Sequence, residues 1–404
     1  MTIYIYDPNI MQLGENVLSV FLGKRAPRNL KYLLELIQEK DDILILTDYL
    51  STYAPIRTWS NFPIWLRRIG SFLDIHIWCL ANKVPFSKVK TNINQLNPTE
   101  DIIFTHGTIN SIFESRKLVE ASSLIQYQGK VLVYANHFFT YPEIVSANYK
   151  LLKNPSLAAE TKLENNSFFQ KFFSDFGSNY VLPYAFQERF ETRIPFQERK
   201  NKALALGTYL CLQETDPGHK EVIQHFNSTA LHPMRKAIYE ARKHITEQID
   251  SIISKQPFED DEEKNRKAQR LKGIGLYLFK LFAKEQEKYL SLDIVDQYNQ
   301  YKMVIAPEEI IGLPSISFVE AMSCNCAYIG IDSEIYTDLG LEANKHYISY
   351  NGTLENLLEK VRYYQEHSDE LEEIANNGYK FVREYLSDRV IKEKFYQDLK
   401  AVNF

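Results

Sequence analysis

The stretch APEEIIGLPSISFVEAMSCNCAYIGID, Ala306–Asp332, decides the reading of this 404-residue chain. It leaves an apolar, strand-like run, Met303–Ala306, and passes through the turn Gly312-Leu313-Pro314. A helix carrying Glu320, Ala321 and Met322 follows, then a second apolar run, Ala327–Ile331. Such a turn feeding a helix presents unpaired N–H groups and the positive end of the helix dipole, which together suit a diphosphate. Ser315 and Ser317 fall where those amides would face a ligand. A carboxylate just inside the helix, Glu320, has the reach and the two oxygens to accept both hydrogen bonds of a ribose diol. On residue types alone, a surface-exposed Glu320 on an ordinary helix is the simpler reading.

Working outward, the pattern around this stretch is α/β throughout. Ile3–Tyr6, Asp42–Thr47, Asp101–Thr105 and Lys130–Tyr134 are short, almost wholly apolar runs, as expected of parallel strands buried on both faces. Helical patterns lie between them near Asn29–Glu39, Phe62–Trp78 and Asn110–Ala121. Strands alternating with helices imply βαβ units, and such sheets bind ligands at the carboxyl ends of their strands. Asn179–Ala185 reads as one more strand, and the polar stretch Gln187–Lys202, with Pro195, as the interdomain linker. A second series opens with the strand Ala203–Leu206 and Gly207, followed by a long helical region from His232 to about Lys255. The charged run Glu259–Lys267 reads as solvated. From Leu354 onward the chain is mainly helical, with apolar residues at Leu354, Leu357, Leu358 and Val361.

The bulk numbers narrow the class. A chain of 404 residues exceeds what one hydrophobic core supports, so two domains are expected. A net charge of −5 without a basic run gives nucleic acid no purchase as a partner. The 26 tyrosines and 24 phenylalanines are expected mainly in cores. Of the four cysteines only Cys324 and Cys326 are close, and a lone Cys-x-Cys is a poor zinc signal beside two buried thiols. The N-terminus has no signal-peptide pattern and no stretch is apolar enough to span a bilayer, so the expected location is cytoplasmic.

With these residues in view, the chain resembles the nucleotide-sugar domain of retaining GT-B glycosyltransferases. That family carries an acidic residue, a Gly-Leu-Pro-like turn, and Glu-Ala-Met opening a helix. The downstream string EIYTDLGLEANKHYISYNGTLENLLEKVRYYQ, Glu334–Gln365, also fits, with Thr353 placed to cap a helix and Asn356 near the capping-box position. The resemblance spans roughly Lys202–Phe404. It implies a GT-B fold, two Rossmann-like domains facing across a cleft: residues 1–190 on the acceptor side, 200–385 holding the nucleotide sugar, and 386–404 a C-terminal helix that can return to the first domain.

It also implies a donor-binding set of Gly207, Gly312, Leu313, Pro314, Ser315, Ser317 and Glu320, the last on the nucleotide ribose. The family spaces its two glutamates eight positions apart, yet eight before Glu320 stands Gly312. A local insertion would let Glu309, rather than its neighbour Glu308, take the sugar-contacting part. Arg235 and Lys236 are the candidate cations for the diphosphate, weighed evenly against a solvated basic face that includes Arg242 and Lys243. Two histidines, His106 and His137, follow strand ends in the first domain; the resemblance favours His137 near the donor sugar.

The implied reaction moves a sugar from a nucleoside diphosphate to an acceptor hydroxyl, as in bacterial-type cell-surface glycan synthesis. It needs no metal ion or other cofactor, and the sequence holds no Asp-x-Asp triplet. The acceptor is a glycan or a lipid-linked molecule. Trp59–Trp78 mixes Trp, Phe, Ile and Leu with Arg67 and Arg68, which suits either a peripheral contact with the inner face of a membrane or an ordinary packed amphipathic helix. Two other functions stay open, a sugar-nucleotide epimerase of the same fold and a non-catalytic glycan-binding or partner subunit.

Overall fold

The structure, a computed structural model, describes residues 1–7, 31–48, 64–105, 113–135, 138–256 and 293–402. His106, His137 and the charged run 259–267 lie outside the described residues, as do parts of the helices expected at 29–39, 62–78 and 110–121. The chain divides into two compact units: residues 1–183 with 217–221 and 388–404, and residues 184–216 with 222–387.

The first unit is built on a seven-stranded parallel sheet: β1 (Ile3–Tyr6), β2 (Ile43–Leu46), β3 (Val89–Lys90), β4 (Ile102–Thr105), β5 (Lys130–Tyr134), β6 (Asn154–Ala159) and β7 (Tyr180–Val181), in the spatial order β3-β2-β1-β4-β5-β6-β7. The four leading apolar runs are the central strands, and Ile3 sits in register with Ile43 on one side and Ile102 on the other. Nearly all their residues are buried, on both faces of the strands, so alternation would serve no purpose. The strand expected at Asn179–Ala185 is β7, confined to Tyr180–Val181; β3 is too short to carry a sequence signal, and β6 opens on Asn154-Pro155.

The C-terminal helix Asp388–Ala401 belongs to this unit. Its Phe395 packs edge-to-face on Phe104 of β4, ring centroids 4.9 Å apart. Lys392 pairs with Glu35 at 3.2 Å and Glu39 at 2.9 Å on the helix Lys31–Glu39, and Lys400 with Asp42. Apolar burial supplies the docking energy, at about 2 to 3 kcal/mol for a ring such as Phe395. The ion pairs set register and add less.

The second unit carries a five-stranded parallel sheet: β8 (Lys200–Ala205), β10 (Ile249–Ser251), β12 (Tyr301–Ile305), β13 (Ala327–Ile331) and β14 (Ile348–Tyr350), ordered β10-β8-β12-β13-β14. A two-stranded parallel ribbon pairs β9 (Thr208–Leu210) with β11 (Ser254–Gln256). The helix expected from His232 to about Lys255 ends at Ala241 instead, and β10 and β11 follow it. Ile245, Ile249 and Ile253 share a four-residue spacing that mimics a helix, but they enter the core from β10, where Ile249 pairs with Ala203, and from the segments on either side of it. Sheet pairing outweighed local periodicity.

The polar stretch Gln187–Lys202 is not a free linker. The Asn299 side chain accepts from the Arg193 amide at 2.6 Å and donates to the Glu191 carbonyl at 3.0 Å, and Arg199 donates to the Ile194 carbonyl. Farther on, Thr353 caps the helix Leu354–Glu366 by accepting from the Asn356 amide at 3.3 Å.

Candidate functional site

In the second sheet, strand order reverses between β8 and β12: the chain moves from β8 outward to β10, then returns to the other side of β8. The carboxyl ends of two such strands leave a crevice between diverging connections, the usual ligand position in an open parallel sheet. Gly207 leaves β8 there, and Ala306–Glu309 leave β12.

Arg235, on the helix Pro233–Ala241, joins the two exits. Its Nε donates to the Pro307 carbonyl at 2.7 Å and its NH1 to the Thr208 carbonyl at 2.9 Å. The guanidinium is buried and lies against the Gly207 backbone: a Cβ at Gly207 would stand 2.9 Å from NH1. With φ at +116°, only glycine adopts this backbone without strain. Lys236, the neighbouring candidate cation, is directed elsewhere, 41% exposed and 3.9 Å from Glu240 one turn along the helix. The two are therefore split into a buried brace and a surface charge.

Glu308 and Glu309 also part company. The Glu308 carboxylate is buried and accepts from the Ile331 amide at 3.2 Å and from the Tyr336 hydroxyl. The Tyr328 hydroxyl, 3.1 Å from that of Tyr336, donates to the Ala306 carbonyl. Burial pushes the Glu308 carboxyl above its ordinary range, against the opposing pull of these donors and of the Arg235 charge. Glu308 is thus bound into the fold. Glu309 is the more open of the two, its side chain 19% exposed, with Oε1 3.7 Å from Nε2 of His232. Nδ1 of His232 faces the Leu210 amide at 3.5 Å, which leaves the ring proton to Nε2.

In the sequence His232 marks only the start of a helix; nothing in its neighbourhood marks it as the partner of a carboxylate 77 positions on.

The turn after Glu309 is closed by its own backbone. The Gly312 amide donates to the Glu309 carbonyl at 2.9 Å, with Gly312 at φ +78°, and the Glu309 amide donates to the Leu313 carbonyl at 3.2 Å. Leu313 and Pro314 are buried, and Ser315 leads into the helix Ser317–Ser323. Glu320 on that helix is 1% exposed, which excludes the surface-exposed reading, and its Oε2 accepts from the Tyr298 hydroxyl at 3.2 Å. The thiols of Cys324 and Cys326, just after this helix, are buried, and burial pushes Cys326 up to about 12.

The geometry therefore gathers Gly207, Arg235, Glu309 and His232 at the switch point, while Glu320 sits in the interior of the following helix. His137 lies outside the described residues. Among the described residues, no group of three or more His, Cys, Asp or Glu is arranged to hold a metal ion.

Residues 268–393 match a family described as glycosyl transferase-like. Among curated proteins none matches this sequence. Two solved structures similar along the chain are those of Anabaena Alr3699/HepE. The complex with UDP-glucose has a TM-score of 0.52 at 12% identity, over 99% of this chain and 100% of that one. The complex with UDP and glucose has a TM-score of 0.51 at 12% identity, over 99% of each chain. At such identity the likeness is one of fold, and that fold is GT-B: two parallel-sheet α/β units in one chain.

Proposed function

We propose that this chain is a glycosyltransferase that takes a sugar from a nucleoside-diphosphate donor held by its second unit. The observation that carries the reading is the convergence of Gly207, Arg235 and the His232–Glu309 pair where β8 and β12 diverge. A glycine without a side chain lets a phosphate approach the backbone, and a buried guanidinium supplies fixed positive charge in a place of low dielectric. Charge that builds on the departing diphosphate is met there by Arg235 and by amides of the turn Gly312–Ser315. Glu309 takes the sugar hydroxyls, held by His232, and Glu320 takes the ribose.

The reaction proceeds without a required metal ion and with retention at the sugar carbon, the leaving phosphate accepting the acceptor's proton on the same face. The acceptor, a glycan or a lipid-linked molecule of cell-surface glycan synthesis, is held by the first unit. HepE, the similar fold, is seen with UDP-glucose, which makes uridine donors the first to try. Titrating the donor into wild type and Glu320→Gln tests the assignment: the variant keeps the shape of the side chain, so it should stay folded and bind the donor at least about tenfold more weakly. Unchanged affinity would remove Glu320 from the site.

A further inference from the structure

Among its described residues, the helix Ile64–Ala81 has one apolar face that is buried and another that is exposed. Ile75, Trp78 and Cys79 are buried in the first unit. On the other side Trp65, Ile69, Phe72, Leu73, Ile77 and Leu80 form a continuous stripe at three-to-four spacing, each at least 44% exposed and Leu80 80%. The stripe continues past the helix: the His76 ring stacks on Phe86, itself 40% exposed, at 4.1 Å, and lies 4.1 Å from the Phe72 ring. A surface helix of a water-facing domain presents charged residues on this side. So large a contiguous apolar patch marks an interaction surface.

Charge says what kind. The sequence Ile64–Lys90 holds Arg67, Arg68, Lys83, Lys88 and Lys90 against the single acid Asp74, a net of +4 in a chain whose total is −5. Lys88 is turned inward onto the Ile37 and Lys40 carbonyls, but Lys83 stands exposed one turn from Leu80. A second copy laid on the same stripe would bring two positive segments together. An anionic lipid surface accepts both features, since aromatic and aliphatic side chains enter the headgroup boundary while cations stay among the phosphates.

We propose that the exposed stripe Trp65–Leu80 is a docking surface for an anionic lipid bilayer, on which this helix lies in the plane of the interface. Among the described residues no helix is long and apolar enough to cross it. The inference is independent of the donor reading and gives a lipid-linked acceptor a place to be met.

The test is flotation of the full chain with vesicles of phosphatidylcholine alone and of phosphatidylcholine mixed with phosphatidylglycerol. Binding to the anionic vesicles should be at least about tenfold the tighter and weaken with added salt. Leu73→Glu and Leu80→Glu should each abolish it with no change in melting temperature, because both side chains already face solvent. Failure to float with either vesicle, or equal binding to both, would overturn the assignment. So would a concentration-dependent dimer in vesicle-free solution that Leu73→Glu dissolves. Donor-induced thermal shifts recorded on the same variants keep this question separate from nucleotide binding.

Discussion

Nε2 of His232 stands 3.7 Å from Oε1 of Glu309, joining the start of one helix to the exit of β12 across the switch point of the second sheet. The Leu210 amide opposite Nδ1 fixes the ring so that its proton faces the carboxylate. If Glu309 contacts the donor sugar, Glu309→Ala should lower kcat/KM by about a hundredfold, the scale on which a misplaced group costs an enzyme. His232→Ala should cost less, and mostly in kcat, because it leaves the carboxylate present but untethered. Steady-state kinetics on both variants decides this; equal, small effects would make the pair structural.

Arg235 is expected to matter for stability as well as for the donor. Arg235→Met keeps the volume but leaves the Pro307 and Thr208 carbonyls without their donor, a loss of about 3 kcal/mol in denaturant unfolding. Arg235→Lys should recover little, since an ammonium cannot reproduce the two-directional fork.

Gly207→Ala tests the same close approach from the other side. The new methyl meets the guanidinium and forces a positive φ on alanine, a cost of about 1 to 3 kcal/mol. A neutral Gly207→Ala would show that Arg235 does not rest on this backbone.

Glu308 should leave a pH signature. Burial raises its folded pKa above the ordinary 4.5, so the folded state holds the proton longer than the unfolded chain does. Its contribution is therefore complete below about pH 4.5 and declines as pH rises from there toward the folded value. Glu308→Gln, which can still accept from Tyr336 and Ile331, should flatten that part of a melting-temperature profile. An unaltered slope would assign the decline to other groups.

The C-terminal helix offers a control far from the switch point. Phe395→Ala removes a ring that packs on Phe104 and is buried to 1% exposure, and should cost about 3 to 5 kcal/mol. Measured in the same denaturant unfolding, it gives a scale for the Arg235 and Gly207 losses.

Much of the fold was legible because doubly covered parallel strands write themselves as unbroken apolar runs: Ile3–Tyr6, Lys130–Tyr134 and Ala327–Ile331 are strands with the boundaries read from sequence. The Thr353 cap was legible for a local reason, a hydroxyl three residues before the amide it serves. What stayed hidden is non-local. The four-residue spacing of Ile245, Ile249 and Ile253 fits a helix, and only pairing with β8 makes Ile249 a strand residue. The same holds at the site. Adjacent Glu308 and Glu309 look alike in sequence, and Tyr336, Tyr328 and His232 decide which is bound into the fold and which stays partly open. Arg235 and Lys236 are separated in the same way by the helix face each occupies.

The most direct test of the donor assignment is a thermal-shift panel of nucleoside diphosphates and their sugars without added metal, run on wild type and Arg235→Met. A ligand that binds only the folded protein raises the melting temperature by mass action, by an amount that grows with ligand over Kd. One nucleotide family should stabilise the wild type selectively, and that shift should shrink sharply in the variant. A flat panel on well-folded wild type, or a shift that Arg235→Met leaves intact, would contradict the assignment.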